Sequence, residues 1–457
     1  MRSLLKKIYW LMVPLAEPWY ALQFWLQLVR RLGLSSGHRF FRELPPGPFQ
    51  PIDERMRTDQ RALLKLAQQY GPVFKCRWRG QFVVMMLGFE RSLEAISTCP
   101  HELRSTHKST DHLFPIGHLR AMHGDVHRHY RQIILRALRS GLVPIHEDAI
   151  RADIARCFQN LDSTHPSAPL ATTQLIGTLR EISTRMLLRL FLGIDPASQT
   201  GKILHATYDA LTPGLAPAFS YRTRSPEFER LIEMINTEAR SLQLTPRPAT
   251  DSVLARLVSD GNLDPTSRGI LAYMLETGRF DLYSLFRWTL YYLAKQPGAA
   301  SVVTTAGSER SPARAAAAEA FVLETLRSNQ SEAIQRQLDD DHHFGGFALP
   351  AKCQIQVCMW ETHKDPGVFP EPFRFEPARF MNHHYGIDRF APFGIDDHRC
   401  AAADYVVALT SLFVEEVAQA WTVRVHRDAA PIRGNYHWEP GPDLTLVIER
   451  RAETGPS

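Results

Sequence analysis

The sequence predicts a mainly α protein with small β-sheets, and three observations lead there. Long stretches carry apolar residues at helical spacing, two regions read as strands, and the composition is that of an ordinary globular chain. Composition bounds the rest. The 457 residues are 44% hydrophobic and 22% charged, enough to bury a sizeable core in one large domain or in two to three small ones. The net charge of +5 is small for this length, and Lys and Arg are scattered without long runs, which argues against a nucleic-acid partner. Six cysteines, at 76, 99, 157, 353, 358 and 400, form no C-x-x-C pair and no disulfide-like cluster. A reducing, cytoplasmic compartment fits that usage, and a structural zinc site does not.

The helical stretches are Arg120 to Leu138, Leu175 to Leu192 and Leu271 to Gln296, each with apolar residues on one face. The strand regions are Gly71 to Leu87, two β-rich runs that turn at Arg79-Gly80, and residues 352 to 360. In the second, Cys353, Ile355, Val357 and Met359 alternate with Gln354, Gln356 and Cys358, as on a strand with two unlike faces.

Residues 1–43 differ from the rest of the chain. "IYWLMVPLAEPWYALQFWLQL", Ile8 to Leu28, is rich in Trp, Phe and Leu and lies between Lys6-Lys7 and Arg30-Arg31. It has the length of a membrane span, but Glu17 between Pro14 and Pro18 should break both the apolar run and the helix. The expectation is a segment lying in a membrane interface, with a buried N-terminal helix as the alternative. Residues 44–51, "LPPGPFQP", read as a stiff linker into a catalytic domain of residues 52–457.

A lone thiol marks the chemistry. Tyr405, Leu409, Phe413 and Val417 recur every four residues and no Gly or Pro interrupts, so a helix is expected from Ala401 to about Trp421, with Cys400 at its N-terminus. Free backbone N–H groups and the positive end of the helix dipole favour a thiolate there. A single thiolate without other soft ligands nearby suits haem iron, whose in-plane ligands come from the porphyrin.

Phe393 to Ala402, "FGIDDHRCAA", resembles the cysteine-ligand signature of the cytochrome P-450 superfamily, F-x-x-G-x-R-x-C-x-G. The spacing matches, with Asp396 where Gly is usual, His398 where an Arg is usual and Ala402 where Gly is usual. "ETLR", Glu324 to Arg327, and "FPEPFRFEPARF", Phe369 to Phe380, resemble the segments that form the family's Glu-Arg-Arg cluster, here Glu324, Arg327 and Arg379. The resemblance implies a structural role for that cluster. It also implies a cytochrome P-450-type fold, one large helical domain plus a β-rich lobe, with haem b (iron protoporphyrin IX) on Cys400. "GDVHRHYRQ" matches the family's H-x-x-x-R, so His127 and Arg131, with Arg336 and His398, would bind the haem propionates. Such charge-assisted bonds would offset the cost of burying two carboxylates.

The oxygen site departs from the family. Counting back from Trp288-Pro297 places the family's A-G-x-[DE]-T-T on Thr277-Gly278-Arg279-Phe280-Asp281-Leu282, where only the Gly agrees. Thr277 and Asp281 share a helix face and are the candidate catalytic proton relay. Three activities are open: a monooxygenase using dioxygen, which is preferred; a peroxygenase, isomerase or dehydratase in which Arg279 or Asp281 handles the substrate; or a haem-binding scaffold or sensor without turnover. The chain has neither a Gly-rich dinucleotide turn after a strand nor a ferredoxin cysteine cluster, so electrons should come from a ferredoxin or flavoprotein reductase. Arg379, Arg389 and Arg399 are the expected docking face. The stretches expected to line the substrate pocket, Leu113 to Ile116, Leu211 to Tyr221 and Tyr273 to Phe280, are largely apolar and imply a lipophilic small molecule.

Overall fold

The computed structural model describes residues 2–99, 103–105, 117–139, 141–164, 167–211, 226–245, 252–306, 310–331, 333–434 and 437–451, with the backbone alone for 2–16 and 103–105. Helix dominates, and the sheets are small, as the periodicities required. The longest interior helix, α5 (Pro265–Lys295), shows how local sequence sets an element. Asp264 caps it by accepting the Ser267 N–H at 2.7 Å, and Ser267 Oγ accepts the Asp264 N–H at 2.9 Å. Pro265 at the first position needs no partner for a missing N–H.

Around α5 lie α2 (Gly124–Ala137), α3 (Leu142–Thr164), α4 (Thr172–Leu187), α6 (Pro312–Ser328) and α7 (Ala403–Ala420). Their shared core is aromatic where α5 meets α7: the rings of Phe286 and Phe413 stack 4.2 Å apart, and Phe158 of α3 closes on Phe413 at 5.8 Å. Tyr405, Leu409, Phe413 and Val417 are all buried there, so the fourfold recurrence did mark the core face. Helix α7 begins two residues later than expected and ends at Ala420, because Trp421 opens a strand. The stretch Leu188–Leu192, read as the end of α4, widens into a turn of π-helix.

The principal sheet has five strands, β1 (Val73–Trp78), β2 (Gln81–Met86), β3 (Leu103–Ser105), β4 (Ile334–Leu338) and β5 (Gln354–Val357), in the order β1-β2-β5-β4-β3. The β1–β2 turn falls on Arg79 and Gly80, both with positive φ (51° and 75°), the backbone a two-residue hairpin requires. β5 is central, parallel to β2 and antiparallel to β4. That position buries Gln356 and Cys358 as well as the apolar series, so the two unlike faces expected from alternation are not found. The small strands β6 (Trp421–Arg427), β7 (Ile432–Arg433), β8 (Trp438–Glu439) and β9 (Thr445–Arg450) pair as β6–β9 and β7–β8.

The N-terminus corrects one expectation. Helix α1 (Arg2–Leu32) runs without interruption past Pro14 and Pro18. Glu17 is not a helix breaker but a tertiary ligand: its carboxylate oxygens accept the N–H groups of Phe49 and Gln50, each at 2.6 Å. Phe24, stacked on Phe82 at 4.6 Å, and buried Leu28 dock α1 on the β1–β2 hairpin. Those contacts offset the roughly 3 kcal/mol that an interior proline costs a helix. Among the described residues no helix is long and apolar enough to cross a membrane. The proline-rich stretch lies against β1, with the Lys75 N–H donating to the Pro46 carbonyl at 2.8 Å. At Gly47 (φ +125°) a Cβ would fall 2.2 Å from the Lys75 carbonyl oxygen, so only glycine fits.

Candidate active site

Cys400 ends a tight loop rather than starting a helix. Its N–H donates to the Phe393 carbonyl at 2.9 Å, and the Arg399 N–H donates to the Asp396 carbonyl at 2.9 Å. Gly394, at φ +103°, would carry a Cβ 3.3 Å from the Arg399 Cα, so the turn depends on glycine. The loop is tied to the core through His363, which is wholly buried: its Nε2 accepts the Ala391 N–H at 3.1 Å and its Nδ1 sits 2.7 Å from Ser331 Oγ. The Cys400 side chain is exposed, whereas the other five cysteines are buried; none of the six is in a disulfide.

That exposure is to a cavity of about 190 Å³. Every sequence-derived site residue borders it: His127, Arg131, Thr277, Asp281, Arg336, His398 and Cys400. Four elements supply them, α2, α5, β4 and the cysteine loop. The apolar part of the lining includes Leu119, Leu187, Phe191, Met274, Leu282 and Leu409. Of the expected pocket stretches, Leu113–Ile116 and residues 212–221 lie outside the described residues. Tyr273–Phe280 contributes Tyr273, Met274, Thr277 and Gly278.

On one side the lining carries two imidazoles and two guanidiniums. His127 and His398 stack at 3.9 Å. Burial, then the neighbouring Arg131 guanidinium, lowers the His127 pKa. Burial, then His127 and Arg336, pushes His398 down to about 3. Burial also draws the Arg131 guanidinium below its ordinary value, against the opposing pull of Cys400, Asp397 and Asp396. Burial thus disfavours charge on the two imidazoles and on Arg131, and a bound anion would offset that cost. His127 Nε2 is buried with no hydrogen-bond partner, an orphan donor or acceptor that a bound group would satisfy. A porphyrin with two carboxylates would fit this donor set: Cys400 would hold the iron through its sulfur, and His127, Arg131, Arg336 and His398 would hold the carboxylates. One partner is already in place. Arg336 Nη2 bonds Asp396 Oδ2, and both side chains are only 11% exposed. The residue standing where glycine was expected thus takes up one of the two guanidiniums.

On the other side stands the middle of α5. Thr277 Oγ1 donates to the Tyr273 carbonyl at 3.0 Å, the back-bonding a helical threonine adopts. Asp281 faces the cavity, its carbonyl accepting from Gln330 Nε2 at 2.8 Å. One sequence expectation fails here. Arg279 is buried and turned away from the cavity: it bonds Asp209 Oδ1 at 2.6 Å and the Tyr208 carbonyl at 2.9 Å. It therefore does not handle a substrate. Glu276, the acidic residue just before Thr277, is buried beside Arg279. Burial raises its pKa to about 7. The Arg279 guanidinium 3.4 Å away does not reverse this, because its shorter bonds go to Asp209 and Tyr208.

Beneath the loop, Glu324 and Arg327 of α6 form a two-pronged pair at 2.6 and 2.7 Å with no exposed side-chain surface. Arg379 approaches Glu324 at 3.7 Å and is only 7% exposed. The cluster is a buried clamp on the 363–376 segment, through Arg327 bonds to the carbonyls of His363, Pro372 and Arg374. Arg379 consequently cannot belong to an exposed docking face; Arg389 and Arg399 are exposed.

Comparison with known proteins adds to this geometry. The family model described as Cytochrome P-450 matches residues 284–401. The human mitochondrial 25-hydroxyvitamin D-1 alpha hydroxylase is 26% identical over 197 residues, 40% of this chain and 38% of that protein. The match thus spans well under half of that relative's length. Among solved structures, retinoic acid bound cyanobacterial CYP120A1 superposes with a TM-score of 0.69 at 19% identity, covering 89% of this chain and 99% of that one. CYP152N1 with myristic acid does so with a TM-score of 0.63 at 17% identity, covering 87% and 97%.

Proposed function

Because the chain belongs to the cytochrome P-450 superfamily, we propose that it is a haem-thiolate monooxygenase that oxidises a lipophilic small molecule with dioxygen and electrons from separate proteins. One observation carries this reading: Cys400 and the pair Thr277 and Asp281 border the same cavity. Haem b, bound through the Cys400 sulfur, would supply the redox chemistry. The remaining work falls to side chains. His127, Arg131, Arg336 and His398 hold carboxylates through charge-assisted bonds. Leu119, Leu187, Phe191 and Met274 exclude water and orient an apolar substrate. Thr277 gives up a backbone hydrogen bond worth about 1 kcal/mol when its hydroxyl turns to the cavity. Asp281 then holds or passes a proton at its carboxylate oxygens.

A ferredoxin or flavoprotein reductase would deliver electrons, with Arg389 and Arg399 beside the cysteine loop as a basic landing point. Peripheral membrane contact through α1 is supported by Trp19, Leu22 and Leu26, which are exposed one helical turn apart on the side away from Phe24 and Leu28. Such a face would lie in an interface rather than cross it, with the catalytic domain in the cytoplasm. The test is the source of oxidising equivalents. Haem-loaded protein should show a thiolate-type carbon monoxide spectrum that Cys400→Ser abolishes, and should turn over lipophilic compounds with a reductase and ferredoxin. Turnover with hydrogen peroxide that gains nothing from those partners would favour the peroxygenase reading, which the position of Phe280 at the usual acid supports. Haem binding without turnover across lipophilic compounds would leave a scaffold or sensor.

A further inference from the structure

His437 has no place in the proton path read from α5, yet it is the buried group that faces it. The residue sits between β7 and β8, about 5% exposed. Its Nδ1 lies 3.1 Å from the Trp438 carbonyl oxygen. A carbonyl only accepts, so Nδ1 carries the hydrogen and Nε2 is left with its lone pair. That Nε2 is buried without a hydrogen-bond partner and points at Asp281 Oδ1 from 3.9 Å. Phe280, the residue in the usual acid position, stands beside the imidazole with ring centroids 6.1 Å apart.

We propose that His437 is a proton-positioning residue for Asp281, the two forming a carboxylate–imidazole relay in place of the acid–alcohol pair that α5 lacks. The step balances simply. A hydronium ion from solvent at the β7–β8 hairpin, whose Gly434 and Glu439 are part-exposed, protonates Nε2 and leaves water. The Nε2–H bond breaks and an Asp281 Oδ1–H bond forms. The imidazole returns to the tautomer that the Trp438 carbonyl holds, and the Asp281 carboxylic acid presents its proton to the cavity. No redox equivalent is consumed in the transfer. The gap of 3.9 Å is longer than a hydrogen bond, and catalytic contacts of this kind tighten when the site is filled.

The inference rests on the monooxygenase reading, and the experiment separates the two. Haem-loaded wild type and His437→Gln, matched in carbon monoxide spectrum, are supplied with a surrogate ferredoxin and its reductase without added substrate, and dioxygen consumption is followed in H₂O and D₂O. The expected result is a fall of about tenfold in the variant, with a larger solvent isotope effect, and no further fall when Asp281→Asn is added. Equal rates and isotope effects, or additive losses, would overturn the relay. Wild type that consumes no dioxygen would defeat the monooxygenase reading instead. Independently of turnover, ¹⁵N spectra of histidine-labelled ferrous carbon monoxide protein should show His437 protonated on Nδ1, with an Nε2 resonance that moves on Asp281→Asn but not on Thr277→Val. An Nε2-protonated ring indifferent to Asp281 would refute the pairing even if His437→Gln failed to hold haem.

Discussion

Replacing Arg327 by Met removes the guanidinium from the most completely buried ion pair described in the molecule and leaves Glu324 behind. The pair's atoms meet at 2.6 and 2.7 Å with zero exposure on either side chain. At an effective dielectric of about 20 and a charge separation of about 4 Å, the lost attraction is roughly 4 kcal/mol. Breaking one partner of a buried pair costs about 3–5 kcal/mol in mutational work, which agrees. Arg379 at 3.7 Å and the Glu376 N–H at 2.8 Å keep Glu324 partly satisfied, so the lower half of that range is expected. Unfolding 457 residues at about 2.1 cal/mol/K per residue gives roughly 1 kcal/mol/K, so Tm should fall by about 3–4 °C. Circular dichroism melts and urea titrations at matched haem occupancy measure it. The double variant Glu324→Gln with Arg327→Met should cost less than the sum of the two single changes, since no naked charge remains. A single-variant loss below about 1 kcal/mol, or strict additivity, would refute the account of the cluster as a buried clamp.

Three further outcomes are expected from the same geometry. Glu276, with its pKa raised from 4.5 to about 7 by burial, keeps its proton in the folded chain at pH values where the unfolded chain has lost it. Its contribution is therefore fully present below about pH 4.5 and is lost as the pH rises to 7, up to roughly 3 kcal/mol; stability measured across that window should flatten in Glu276→Gln. Freeing Arg336 with Asp396→Asn should slow haem transfer to excess apomyoglobin by about tenfold, and Arg336→Ala should speed it, a charge-assisted bond being worth about 1.5–3 kcal/mol; equal rates would remove Arg336 from the carboxylate cradle. Gly278→Val places methyl groups at the cavity wall, where a Cβ already meets Leu187 Cδ1 at 3.4 Å. It should abolish Soret shifts with bulky ligands while sparing the carbon monoxide spectrum; unchanged shifts would mean that ligands sit elsewhere.

The site was legible to unequal degrees. Cys400, His127 with Arg131, and Glu324 with Arg327 could be read because each motif lies within one loop or one helical turn, where spacing alone decides which side chains are neighbours. Thr277 and Asp281 share a face for the same reason. Arg279 was misread because helical spacing says which residues lie together but not which face meets the cavity, and an available carboxylate on Asp209 decided that. His437 left no trace in the sequence, since nothing local links residues 435–440 to the middle of α5.

The chain order alone therefore settled what is short-range: the β1–β2 hairpin from Arg79-Gly80, the helical core of α5 and the helix that follows Cys400. The tertiary structure decided whatever required two distant segments to compete or cooperate. Contacts to Phe49, Gln50 and Phe82 carried α1 through its prolines, Asp396 claimed Arg336, and the β7–β8 hairpin brought His437 to Asp281. The physical reason is the same in each case. Backbone preferences are set by a few adjacent residues, while burial and charge pairing depend on which remote surface arrives to satisfy them.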